Sequence, residues 1–162
     1  MLKYTTGLLF IFIFILSGCG SQLTDENDRN KGQHAEQDQL FVKVLETKTA
    51  VVLQLSEELE EQLQAMQSED EWHEATEHMK QVQQDILFHW NELHNDYRPQ
   101  HQTLRKAKED LKAILTDYRD GLSLEISGMD TADAMEMKLG FQKTTKAREK
   151  MRQFKEQLAE SR

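Results

Sequence analysis

Apolar residues recur at helical spacing along most of the chain from Gln39 onward. In the first segment they predict an amphipathic helix of about 30 residues, with glutamates on its other faces. The apolar set is Leu40, Val44, Leu45, Val52, Leu55, Leu59, Leu63 and Met66. Ser68-Glu69-Asp70-Glu71 then has the form of a capping box, which predicts the start of a second helix.

The second segment carries an apolar residue at every seventh position, with further small or apolar residues at the complementary heptad positions. These residues are Trp72, Met79, Ile86 and Leu93, with Ala75 and Val82 between them. The repeat predicts knobs-into-holes packing against another helix. His89 also occupies a core position, and we expect a hydrogen-bonded core or edge residue there. Tyr97-Arg98-Pro99 predicts the end of the segment.

A third helix is predicted from the apolar positions that follow the proline, and its end is open to two interpretations. Its inward residues are Leu104, Ala107, Leu111, Ile114, Tyr118 and Leu122. Residues 122–127 alternate with period 2, so Gly121 could be a C-cap that precedes an extended stretch. Ile126 still shares the apolar face of Leu111 and Leu122, and this favours a helix that continues to Ser127.

The last turn is predicted at Gly128-Met129-Asp130, with Asp130 or Thr131 as the cap of a fourth helix. The residues expected to face inward from that helix are Ala134, Met137, Phe141, Ala147, Met151, Phe154 and Leu158. Gly140 lies inside the helix, where glycine costs about 1 kcal/mol in propensity. Its presence predicts a close contact with another helix.

Four helices with short connections predict an all-α, antiparallel up-down-up-down four-helix bundle. A three-helix bundle and a long coiled-coil hairpin are the alternatives. Charge supports the four-helix arrangement, since residues 35–97 hold 15 acidic and 3 basic residues, whereas residues 136–162 hold 4 acidic and 8 basic ones. Attraction between the first and fourth helices would favour their pairing.

Composition narrows the classes of function. The net charge of the 162-residue chain is -9, and without residues 1–18, whose only charge is Lys3, it is -10. A negative balance of this size argues against nucleic-acid binding, which needs a surplus of lysine and arginine. The single cysteine excludes an intramolecular disulfide.

The N-terminal segment has the charge order and length of an export signal. Lys3 precedes the nine-residue apolar run Leu8 to Leu16, which is too short for a membrane span of roughly 20 residues. Leu16-Ser17-Gly18-Cys19 follows at once. This sequence resembles the lipobox of bacterial lipoproteins, in which an apolar residue and two small residues precede a lipidated cysteine.

The resemblance implies that residues 1–18 are removed as a signal peptide and that Cys19 receives a diacylglycerol on its sulfur. The lipid would hold the mature chain at the outer face of the cytoplasmic membrane, or at the outer membrane of a Gram-negative source. Residues 20–34 contain one apolar residue in fifteen, which predicts a flexible tether. We therefore expect a signal at 1–18, the lipidated cysteine and tether at 19–34, and a helical bundle domain at 35–162.

In general character the chain resembles the small helical lipoproteins of Gram-positive bacteria. It is weakly similar to the YkyA-like group, which is described as binding the cell wall. Only residues 16–19 match a specific motif, so the resemblance assigns no functional residue in the bundle.

Five histidines between His73 and His101 are the one unusual feature of the bundle's composition. His73 and His78 lie five residues apart, whereas a zinc-protease helix needs four, so that motif fails. Glu74 and His78 at i and i+4 remain candidates for a weak surface metal site. The chain has no nucleophile elbow and no phosphate-binding glycine loop, and we expect neither an enzyme nor a cofactor.

The last candidate is a basic strip on the fourth helix, expected either to contact an anionic surface or to pair with the first helix. Its members are Lys143, Lys146, Arg148, Lys150, Arg152 and Lys155. Near an anionic membrane each such residue contributes about 1 kcal/mol. The sequence therefore predicts a lipid-anchored bundle that binds an envelope protein or cell-wall polymer. A metal- or small-ligand-binding lipoprotein and an envelope chaperone or assembly factor are the alternatives.

Overall fold

The computed structural model describes residues 25–65 and 71–160, and the side chains from residue 35 onward within those ranges. These residues form four helices and no strand: α1 (Asp25–Ala65), α2 (Glu71–Asp96), α3 (Gln102–Thr131) and α4 (Ala134–Glu160). The all-α prediction is confirmed. Residues 37–162 form one compact unit, which holds the bundle. Cys19, the export signal and the proposed cap at Ser68 lie outside the described residues.

Helix α1 begins at Asp25, inside the segment for which composition predicted a flexible tether. Residues 25–34 are too polar to order themselves by burial, but they are continuous with a helix that is buried in the bundle from Asp38 onward. Helix elongation is much easier than nucleation, so polar residues can continue a helix that packing has already nucleated.

Contacts between the helices run in opposite sequence order, as an up-down-up-down bundle requires. Glu57 and Glu60 of α1 pair with Arg152 and Arg148 of α4, respectively. The same opposite order holds for the other neighbouring helices. Phe41–Tyr97 and Lys48–Glu92 join α1 to the end of α2 and the residue after it. Thr76–Met129 and Gln83–Ser123 join α2 to α3, and Asp117–Lys150 and Asp120–Lys143 join α3 to α4. The prediction of an antiparallel four-helix bundle is confirmed.

All four helices contribute to a single apolar core. The most deeply buried side chains include Leu45, Val52, Met79, Ile86, Leu93, Leu111, Leu115, Leu122 and Met151. The heptad prediction for α2 is confirmed except at Trp72, which lies in the first turn and is partly exposed. Leu40 is exposed, because the inward face of α1 passes instead through Phe41 and Leu45.

Two residues expected to face inward from α4 are exposed. Ala134 is the first residue of the helix, before the helix meets the core. Phe141 lies at the mouth of a cleft, with 52% of its surface exposed. The inward face follows Thr144, Ala147 and Met151 instead.

The third helix is continuous to Thr131, so the helical interpretation of residues 122–127 is confirmed. The predicted turn at Gly128-Met129-Asp130 is wrong, because these residues still belong to α3. The chain turns at Ala132, whose φ of 55° is left-handed. Asp133 caps α4, since its Oδ1 accepts hydrogen bonds from the backbone N–H groups of Met135 (2.9 Å) and Glu136 (3.1 Å).

Glycines bring α3 and α4 into backbone contact, as predicted for Gly140. A Cβ atom on Gly140 would lie 2.6 Å from the backbone nitrogen of Glu125 and 2.8 Å from the carbonyl oxygen of Gly121. A Cβ on Gly128 would lie 2.6 Å from the backbone nitrogen of Met137. Gly128 therefore serves the contact between the helices, which is why its presence did not mark a turn.

Candidate functional site

The residues predicted for a metal site lie on the outer part of α2. Glu74 is exposed and His78 is half-buried. Within residues 25–65 and 71–160, no group of three or more histidine, cysteine, aspartate or glutamate residues is placed to hold a metal ion. Any metal bound there would have at most two protein ligands from the described chain.

His89 lies at the contact between α1 and α2, in agreement with the prediction of a hydrogen-bonded edge residue. Its Nδ1 is 3.5 Å from Lys48 Nζ and 3.4 Å from Glu92 Oε2. Lys48 Nζ also donates a hydrogen bond of 2.5 Å to Glu92. Burial and the nearby Lys48 charge lower the pKa of His89, so the neutral imidazole is favoured.

The residues of the basic strip on α4 differ in whether they form ion pairs with other helices of the bundle. Arg148 and Arg152 pair with α1, as one of the two interpretations anticipated, whereas Lys143 and Lys150 pair with Asp120 and Asp117 of α3. Lys146 and Lys155 are exposed and pair with no residue of the described chain. Four of the six cations are thus matched by carboxylates within the bundle.

A cleft of about 220 Å³ opens between α1, α3 and α4. It combines apolar walls with hydroxyl, carboxyl and guanidinium groups. Its lining consists of Ser56, Leu59, Glu60, Leu63 and Gln64 of α1, Tyr118, Leu122 and Glu125 of α3, and Phe141, Thr144 and Arg148 of α4. Several of these polar side chains, among them Glu125, Thr144 and Arg148, are buried although they adjoin the open cavity.

Glu125 is the most unusual residue of the cleft. Only 6% of its surface is exposed, and its Oε1 accepts a hydrogen bond of 2.7 Å from Thr144 Oγ1. Burial raises the pKa of its carboxyl, and the Thr144 hydrogen bond only partly offsets that effect. No cation of the described chain pairs with it, although unpaired carboxyls are rarely buried.

Tyr118 and Arg148 are two further ionisable groups in the wall of the cleft. Tyr118 is buried, and burial together with the Glu125 charge raises the pKa of its phenol, while a hydrogen bond with Ser56 acts in the opposite direction. Arg148 is buried beside Glu60, with which it forms an ion pair. Burial, followed by repulsion from Arg152, lowers the pKa of Arg148.

The polar groups of the cleft are hydroxyl, amide, carboxyl and guanidinium groups. Its lining holds no cysteine, histidine or lysine, and none of its hydroxyls has a neighbouring base and orienting group in a triad-like order. Glu125 was not predicted as a site residue, because it belongs to no pair or cluster of ligand-type residues in the sequence. The available signal was its position on the apolar face of α3, between Leu122 and Ile126.

Comparison of the chain with models of protein families, with curated proteins and with solved structures finds no match. Assignment of a function therefore depends on the motif at Cys19 and on the geometry of the bundle.

Proposed function

We propose that this chain is an extracytoplasmic lipoprotein, held at a membrane by lipid on Cys19, whose helical bundle binds an envelope partner without catalysing a reaction. The observation that carries the proposal is Leu16-Ser17-Gly18-Cys19, placed directly after a nine-residue apolar run. None of the described helices is long and apolar enough to cross a membrane. A thioether-linked diacylglycerol has two acyl chains, which is enough for stable anchoring.

The charge of the bundle supports a partner with a basic surface. Residues 35–97, which include most of α1 and all of α2, hold 15 acidic and only 3 basic residues. Glu57, Glu58 and Glu61 are exposed on α1. Such a face repels anionic wall polymers and attracts lysine- and arginine-rich surfaces, so we favour a protein partner over a polymer.

Replacement of Cys19 tests the anchor. We expect Cys19→Ser to move the protein from the membrane fraction to the fluid outside the membrane and to abolish labelling by a fatty-acid probe, because serine offers no thiol for the thioether. Ser17→Ala, which keeps a small residue in the motif, is the matched control and should remain attached and labelled. A Cys19→Ser protein that is still labelled would refute the proposal.

Crosslinking in intact cells tests the partner. We expect adducts of the wild-type chain to weaken when Glu58 and Glu61 are replaced together by glutamine, because attraction to a basic surface is lost. Replacement of Glu156 and Glu160 on α4 removes the same charge from another helix and serves as the control. Equal loss in both variants, or no adduct at all, would contradict a basic partner for α1 and α2.

A further inference from the structure

We propose that the cleft between α1, α3 and α4 binds a small organic cation, a primary ammonium on an apolar body, with the ammonium against Glu125. The site is distinct from the acidic outer surface proposed for the envelope partner. It joins two observations: a cavity of about 220 Å³ and a buried carboxyl that lines it without a cationic partner.

Of the acidic and basic side chains that line the cleft, Glu125 is the one without an oppositely charged partner in the described chain. Glu60 and Arg148 form an ion pair, and each thereby neutralises the other. Thr144 donates a single neutral hydrogen bond to Oε1 of Glu125, and no residue of the described chain donates one to Oε2. An ammonium group supplies three donors and a positive charge, so it matches what the carboxylate lacks.

The apolar walls of the cleft determine the size and polarity of the part of the ligand that carries the ammonium group. Leu59, Leu63, Leu122 and Phe141 supply apolar surface, and the partly exposed Phe141 stands at the mouth. A closed cavity of about 150 Å³ holds benzene, so this open cleft accommodates roughly nine non-hydrogen atoms. The aromatic rings of Phe141 and Tyr118 also favour a cation over an anion.

Isothermal titration calorimetry with three probes of similar size tests the inference. The lipidated chain from Cys19 onward is held in phosphatidylcholine nanodiscs near neutral pH, and the heat from empty nanodiscs is subtracted. The probes are phenethylammonium, neutral 2-phenylethanol and anionic 3-phenylpropionate. We expect phenethylammonium to bind at least about tenfold more tightly than either of the others, since only it brings a positive charge to the carboxylate of Glu125.

Variants assign the binding to the cleft. Glu125→Gln keeps an acceptor for Thr144 but removes the charge, and should abolish the preference for the cation. Phe141→Ala alters the exposed mouth without opening the core, and should weaken all binding to the cleft. Glu156→Gln removes a charge from the exposed surface of α4 and should bind as the wild type does.

Three outcomes would overturn the inference: no binding of phenethylammonium, equal binding of 2-phenylethanol, or an unchanged cation preference in Glu125→Gln. If Glu125→Gln did not fold, unchanged binding in Phe141→Ala would still refute the cleft as the site. Circular dichroism of each variant establishes that it is helical before titration.

Discussion

Glu125 occupies an environment that disfavours its charged form, and this has a consequence for stability. Burial raises its pKa above the ordinary value of 4.5. A group with a raised folded-state pKa contributes stability that is fully present below its unfolded-state pKa and is lost as pH rises through the folded-state value. We expect Glu125→Gln to remove this dependence, so that the variant becomes more stable relative to the wild type as pH increases above 4.5.

Urea unfolding of the chain from Gly20 onward, at several pH values from 4.5 to neutral, measures this difference. Glu156→Gln, at an exposed position, removes the same charge outside the core and is the control. A difference between wild type and Glu125→Gln that stays constant with pH would show that Glu125 titrates as it does in the unfolded chain.

At the residue scale, the sequence predicts apolar burial better than polar burial. The periodic leucine and isoleucine positions of α2 and α3 are buried as expected. Lys48, Lys112, Glu125 and Arg148 are buried as well, and nothing in their residue types indicates it. Their burial depends on partners from other helices or on long apolar stems, which a single sequence does not reveal.

Among the elements, α3 and α4 form the closest pair. We expect Gly140→Ala to cost about 1–3 kcal/mol, because the new methyl group would meet the backbone of α3. Alanine's better helix propensity recovers only part of that cost. Urea unfolding provides the measurement, and Thr145→Ala, an exposed position on the same helix, is the control. A Gly140→Ala protein as stable as the wild type would mean that the helices can separate at little cost.

The connection between these two helices offers a second test. Asp133→Ala removes the acceptor for two N–H groups of α4 and should destabilise the chain by about 1 kcal/mol. Asp130→Ala is the matched control, since Asp130 is exposed within α3 and caps nothing. Thermal unfolding would show a lower midpoint for Asp133→Ala alone, and an equal drop in both variants would contradict the assignment of the cap.

The number and order of the helices were predicted well, whereas the residues at which they begin and end were predicted less well. The proline at 99 marked the end of α2 because it restricts the backbone directly. Gly128 misled the prediction of the last turn, since a glycine that permits close packing has the same appearance in sequence as one that permits a turn. Ala132 takes the left-handed position although alanine gains nothing from it.

For the whole molecule, the single core predicts cooperative unfolding. Both tryptophans belong to α2, and the Trp90 ring stacks on His94 and has Lys112 Nζ of α3 4.9 Å from its centroid. We expect fluorescence, which reports on α2, and circular dichroism, which reports on all helices, to give coincident urea transitions for residues 37–162. Separate midpoints would show that one pair of helices is stable without the other.

The glycine contact also limits how this bundle can change shape. A slip of α4 along α3 by one turn would replace Gly140 by Glu136, Met137, Lys143 or Thr144, and each of these carries a Cβ where the backbone of α3 leaves no space. The two helices therefore keep one register and move together. Widening the cleft would then require α1 to move away from α3 and α4, and the ion pairs of α1 with Arg148 and Arg152 oppose that movement.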